Sequence, residues 1–216
     1  MNDMIKKYRK TVNQTRTIVE DIHAGEFEYE YVIREAVHLT LVLISIHTSR
    51  ALVTIRVRLK ARGASANIIG IFFGSNASSM KLHTLQQHEA PQTTSNLLVK
   101  SVLADEATCI YDGGIRVEVA AQKTDAYQRN ENLILSPKAH AETKPSLEIL
   151  ANDVRCTHGA TVGPISGDQL WYLATRGIGV AHGRRLIVEG FLGSALARVD
   201  DVGVRNAVWK RVARAV

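Results

Sequence analysis

The stretch "TIRVRLK", Thr54 to Lys60, sets Ile55, Val57 and Leu59 against Arg56, Arg58 and Lys60. Strict alternation of this kind marks a strand with one buried and one wet face, because successive side chains leave an extended backbone on opposite sides. "GIRVEVA", Gly114 to Ala120, repeats it with Ile115, Val117 and Val119 opposite Arg116 and Glu118. From about Val37 to Leu150 the period stays at two, in short pieces that include "NLILS" and "SLEIL", and no piece lengthens into a helical repeat. Small-residue turns separate them: "KARGASA", "LADEATC", "VAAQKTDA" and "SPKAHAET". The later turns recur roughly every sixteen residues, a loose repeat that suits a β-solenoid, in which each coil buries its inner face on its neighbours. A sandwich or jelly roll would also show strands at such spacing. The scarcity of proline and of hairpin dipeptides favours the solenoid, since Asp112-Gly113 alone reads as a hairpin turn.

After Gly163 the period changes. Ser166 and Gln169 form a capping-box pattern, Leu170, Trp171, Leu173 and Ala174 make an apolar helical face, and Gly177 ends it. A second helix is expected from about Ala181 to Val199 on Leu186, Ile187, Gly190, Phe191 and Ala195, and a third after Asp200 or Asp201 on Val204, Val208 and Val212. Their apolar faces can pack on the solenoid or on a partner. The tail helix, with Trp209 among basic residues, is the one expected to fray. The expected architecture is mainly β: a short N-terminal segment over 1–36, a β-solenoid core over 37–163 and a C-terminal helical segment over 164–216.

With 216 residues, 45% hydrophobic and 22% charged, the chain can bury a real core. The longest apolar run, Leu39 to Ile46, is too short to span a bilayer, and no apolar stretch follows the basic start. A cytoplasmic protein without membrane partners is the expectation, and its two cysteines read as free thiols rather than as a disulfide framework. A formal charge of +6 and a pI near 9.4 would permit nucleic-acid binding. The basic residues are scattered, however, and aromatics make up only 6% of the chain, so a solvated surface explains the charge and no nucleic-acid partner is expected.

No enzyme motif is present: no P-loop, no G-x-S-x-G, no H-E-x-x-H, no C-x-x-C. His83 and His88 fall on opposite faces of an extended segment, and Asp105-Glu106 and Asp200-Asp201 read as turn and cap residues. One pair is chemically suggestive. In "VRCTHGATVG", Val154 to Gly163, Cys156 and His158 stand at i and i+2 and project from one face of a strand, so they could offer sulfur and imidazole nitrogen to one ligand. The plainer reading is a small buried cysteine beside a hydrogen-bonded histidine, and spacing alone favours it.

Four ordered stretches resemble one family: "HEAPQTTSNLLVKSVL" (His88 to Leu103), "QKTDAYQRNENLILS" (Gln122 to Ser136), "KPSLEILANDVRCTHGATVG" (Lys144 to Gly163) and "GDQLWYLATRGI" (Gly167 to Ile178). Together, over about Gly63 to Leu192, they resemble the core of the SufB/SufD family of the SUF iron–sulfur cluster assembly system. The resemblance implies a right-handed parallel β-helix followed by C-terminal helices. It also implies a scaffold without catalysis of its own, a SufC-like ABC ATPase docked on those helices, and a SufB-like paralogue paired through the β-helix. For the ATPase surface it points to Leu170, Trp171, Tyr172, Arg176 and Phe191.

Two departures favour the SufD-like side: Asn130 stands where SufB-type chains carry a cysteine, and Gly159 where they place a glutamate after the histidine. By resemblance His158 then lies at the interface where a cluster assembles, as a tentative metal ligand, and Cys156 inherits less. Iron–sulfur clusters normally take four protein ligands. No cluster is therefore expected to be held stably by this chain alone, and any transient one needs ligands from another chain. Longer family members carry an N-terminal helical region, whereas here about 35 residues precede the first expected strand, including the acidic "EFEYEYVIREA". A homodimer could then replace the SufB–SufD pair. The rivals are a carbohydrate-active solenoid enzyme, which would need carboxylates clustered along a groove, and a basic nucleic-acid module, for which only net charge speaks.

Overall fold

The computed structural model describes residues 5–215. Twelve strands come first: β1 (Lys6–Val12), β2 (Arg16–Asp21), β3 (Gly25–Ile33), β4 (His38–Ile46), β5 (Arg50–Leu59), β6 (Ser65–Gly74), β7 (Ser79–His88), β8 (Thr94–Leu103), β9 (Thr108–Val117), β10 (Asp125–Ile134), β11 (His140–Ile149) and β12 (Arg155–Pro164). Three helices follow, α1 (Gly167–Thr175), α2 (Val180–Leu196) and α3 (Val202–Ala215). Odd strands form one parallel sheet, in the order β1-β3-β5-β7-β9-β11, and even strands the other, in the order β12-β10-β8-β6-β4-β2. Each coil of this solenoid gives one strand to each sheet. Ser65 lies beside Thr94, Thr94 beside Asp125 and Asp125 beside Arg155, steps of 29, 31 and 30 residues. The sixteen-residue spacing of turns is thus half a coil.

The corners explain the small residues. Each needs a sharp change of direction, supplied by one residue at positive φ: His47, Asn76 and Asp105 along one edge, Gly63, Gln92 and Lys123 along another. Asparagine, aspartate and glycine bear that conformation best. Ala64, Ala107 and Ala121 fill the inner corners, where a larger side chain would meet the coil behind; all three are fully buried. Asp112-Gly113, the one hairpin signal, lies inside β9 instead of at a turn.

The solenoid begins well before Val37. β1, β2 and most of β3 lie within the first 32 residues, and "EFEYEYVI" is itself a strand, with Phe27, Tyr29 and Tyr31 buried and Glu26, Glu28 and Glu30 on the other face. Its glutamates pair with β1, Lys7 with Glu28 and Arg9 with Glu30, which is why it reads as acidic and not as core. At this end the lumen is closed by its own residues. Tyr8 stacks on Tyr29 with ring centroids 5.0 Å apart, the Tyr31 hydroxyl donates to Glu20 at 2.6 Å, and Lys10 reaches the same carboxylate.

The core has two main parts. One fills the lumen, with Tyr31, Leu41, Ile55, Val57, Ile68 and Leu97 at its centre. The other lies outside the even sheet, where Val42, Ile69, Ile71, Leu98 and Val102 meet Val188, Leu192, Ala195 and Leu196 of α2 and Val208 and Val212 of α3. The buried face of α2 is therefore rotated from the expected one: Leu186 and Gly190 are exposed, and Gly183, Val188 and Leu192 are buried in their place. Lys100 of β8 fixes this contact. Its ammonium binds Glu131 at 2.8 Å and Ser194 Oγ at 2.7 Å, and sits 4.3 Å from the Phe191 ring centroid. The tail helix is held down by Val208 and Val212, with Trp209 packed on Gly193 and Arg211 paired with Asp21. Asp201 caps it by accepting from the Val204 amide at 3.0 Å.

Candidate functional site

β11 and β12 end their sheets, so their outer backbone edges have no partner strand. In β10 the inward positions are Ala126, Gln128, Asn130, Asn132 and Ile134; side by side with them in β12 are Cys156, His158, Ala160, Val162 and Pro164. Cys156 and His158 thus share the inward face, as the i, i+2 spacing predicts, at the mouth of the lumen. Cys156 is half-buried against Val117, Ala126 and their neighbours, while His158 is exposed. Burial raises the Cys156 thiol pKa, the Ala126 backbone hydrogen bond opposes this and Asp125 adds to it, so the group is a thiol at neutral pH. No cluster of three or more His, Cys, Asp or Glu able to hold a metal exists among the described residues. Two donors at an open edge cannot complete a metal or cluster site without a second chain.

The two ends of the solenoid differ chemically. β1, the other edge of the odd sheet, carries Lys6, Lys7, Arg9 and Lys10, the charges that keep a free edge from pairing. From Cys156 to Gly167 there is no charged residue at all, so the β12 edge is open to an added strand. Gly159 has nothing within 4 Å of a Cβ built on it, so a larger residue fits there. Asn130, at the position of the expected cysteine, is buried, donates to Val99 O at 3.3 Å and accepts from Asn132 Nδ2 at 2.7 Å.

The residues expected for ATPase docking separate into two groups. Trp171 and Tyr172 on α1 are 70% and 55% exposed, and Arg176 lies over the Tyr172 ring at 5.3 Å. Leu170 turns inward toward Gly183 of α2. Phe191 lies apart from this group, half-buried under Lys100, where it anchors α2. Helix α1 buries no residue completely, and although Ser166 occupies its N-cap, no side-chain cap bond forms there. His83 and His88 part as expected: His83 faces Asp112 outside at 3.4 Å, and His88 is fully buried inside. Asp105 is a corner residue that accepts from the Asn76 amide at 2.8 Å.

The alternation pattern gave no warning of a polar lumen. Thr84, Gln86, Gln128, Asn130 and Asn132 all point inward and are buried. Their polarity breaks the apolar-in rule at inward positions of β7 and β10, which is the signal that could have marked them.

A two-sheet parallel solenoid with one guarded end, one open end and a helical layer on one sheet defines a class of β-helix proteins built for assembly at a coil end. The chain belongs to the SufBD family: the SufBD core domain of SUF system FeS cluster assembly matches residues 21–191. It is similar to the iron–sulfur cluster assembly protein SufD of Escherichia coli (strain K12), 36% identical over 129 residues, which cover 60% of this chain and 30% of that protein. It is also similar to an iron–sulfur cluster assembly SufBD family protein of Synechocystis, 38% identical over 109 residues, covering 50% of this chain and 24% of the relative. A third similarity is to the chloroplastic protein ABCI7 of Arabidopsis thaliana, 33% identical over 138 residues, 63% of this chain and 29% of that one. The chain thus spans under a third of the length of these relatives. Among the described residues no helix is long and apolar enough to cross a membrane.

Proposed function

We infer that this chain is a non-enzymatic scaffold subunit of an iron–sulfur cluster assembly complex, that it pairs through its β11–β12 coil with a SufB-like chain, and that it binds a SufC-like ATPase through α1. The observation that carries the reading is the open β12 edge: it is uncharged, its lumen mouth presents Cys156 and His158, and those two donors are too few to hold a cluster alone. The partner supplies the remaining ligands, so the cluster is cargo of the pair and not a resident group of this chain. A second copy of the chain, with a two-fold axis across β12, is the alternative partner, because the same edge can pair with itself antiparallel.

The test is iron and acid-labile sulfide per complex after anaerobic reconstitution with a SufB-like chain and the ATPase. His158→Ala should leave the fold and ATPase association intact, since the side chain is exposed, and abolish cluster formation. Cys156→Ser should lower stability slightly and leave cluster formation intact unless the thiol is a co-ligand. Normal cluster content in a folded His158→Ala complex would overturn the reading. Native mass spectrometry of the same samples separates the heteromeric pair from the homodimer.

A further inference from the structure

The lumen changes character along its length. Through β3–β6 its inward residues are almost all apolar, Tyr29, Tyr31, Leu41, Val53, Ile55, Val57 and Ile68 among them. From β7 onward polar side chains enter: Thr84 and Gln86 on β7, Tyr111 on β9, Gln128, Asn130 and Asn132 on β10, and Thr143 on β11. Some satisfy one another. Thr84 Oγ1 and Tyr111 Oη are 2.8 Å apart, and Gln86 Nε2 donates to Gln128 Oε1 at a long 3.5 Å. Four buried atoms nevertheless have no protein partner: Gln86 Oε1, Gln128 Nε2, Asn132 Oδ1 and Thr143 Oγ1. All four belong to inward-facing residues in the coils next to the open end.

Buried polar atoms in native proteins are nearly always paired, with protein or with ordered water. The chemistry of the four decides what pairs them. Two are amide carbonyl oxygens that accept, one is an amide nitrogen that donates, and one is a hydroxyl that does both. Carbonyl oxygens repel an anion, and no inward residue of β7–β12 is a carboxylate that would hold a cation. An apolar occupant would leave all four unmet. Water donates and accepts, and fits. Gly113 is the second observation: a Cβ there would lie 2.3 Å from Tyr111 Oη and 2.5 Å from Gln128 Nε2. The glycine therefore keeps the cross-section open for those two polar groups.

We propose that the lumen of β7–β12 is a water-binding channel, with ordered waters running from the Gln86–Gln128 amide pair past Asn132 and Thr143 to the open mouth beside Cys156 and His158. The proposed assembly site is then reached by water from inside the solenoid as well as from bulk solvent. Only that consequence rests on the function inferred above; the hydration itself does not.

The test uses the full chain alone. Water–protein NOE and ROE spectra should show cross-peaks from long-lived water to the side-chain amides of Gln86 and Gln128. The double variant Gln86→Leu/Gln128→Leu should lose the channel's water signals while melting within a few degrees of the parent. Gly113→Ala should weaken the Gln128 cross-peak at least threefold, because the new methyl displaces that amide. A parent protein that shows these amide resonances but no long-lived water at them overturns the proposal, whether or not either variant folds. Since no partner is present, that failure would leave the pairing reading standing.

Discussion

His88 should make this solenoid sensitive to mild acid, by an amount that its surroundings set. Its ring is completely buried in the lumen corner, with Nδ1 2.7 Å from Thr93 Oγ1 and Nε2 2.8 Å from Ser95 Oγ. Two hydroxyls can serve a neutral imidazole, one accepting and one donating, and no carboxylate stands by to favour the cation. Burial lowers the pKa from 6.5 to about 4. Protons therefore bind the unfolded chain first as pH falls, and the stability due to this residue, complete above pH 6.5, drains away between 6.5 and 4. By linkage the loss is about 1.4 kcal/mol at about pH 5.5 and about 3 kcal/mol at about pH 4, a large fraction of an ordinary domain's ~5–15 kcal/mol. Carboxylates such as Glu89 and Glu131 add their own acid loss. In each, burial would raise the pKa, but the basic partners outweigh it and hold it low. The informative quantity is thus a difference. Urea denaturation of the parent and of His88→Gln, each followed from neutral pH to about pH 4, should show the parent losing about 3 kcal/mol more than the variant. Parallel pH profiles would refute the reasoning, because they would mean that the imidazole takes up its proton in the folded lumen at no penalty.

Lys100→Met should destabilise the chain by about 2–3 kcal/mol in chemical denaturation, less than a fully orphaned buried charge, because Arg129 still pairs with Glu131. The double variant Lys100→Met/Glu131→Leu should recover much of that loss. Trp171→Ser should leave the melting midpoint unchanged, given 70% exposure, and sharply reduce retention of a SufC-like ATPase in pull-down; unchanged retention would remove α1 from the docking surface. Deleting the chain after Gly163 would bare Ile69, Ile71, Leu98 and Val102, so light scattering should show aggregation. The point variant, not the truncation, is therefore the sound test of ATPase binding.

Alternation carried most of the fold, and its failures have physical causes. "TIRVRLK" and "GIRVEVA" are legible because one face is apolar and the other charged. "EFEYEYVI" alternates just as strictly, but its inward residues are aromatic and its outward ones acidic, and the partner charges that make it a strand lie 19–21 residues away on β1. The corners carry no dependable signal beyond small size, since His47, Gln92 and Lys123 adopt positive φ with ordinary side chains. For α2 the helical period was clear but not its phase, because Gly183 and Gly190 look alike in sequence and only the first is pressed against Leu170 and Leu173. Of the site, the shared face of Cys156 and His158 followed from spacing. That it opens at a strand end depends on the order of coils, which no local pattern records.

Because each coil repeats at about thirty residues with its corners in fixed places, the length of such a chain can change cleanly only in whole coils. A shorter insertion would turn strand faces inside out or push a corner into a strand. The helices narrow the choice further. α2 rests on β6 and β8, and α3 on β4, so three successive coils are measured out by the helical layer like notches against a ruler. A coil added among them would slide the helices off their seats. One added ahead of β3 would simply move the far end away, leaving the lumen mouth and the docking helix at an unchanged distance from each other.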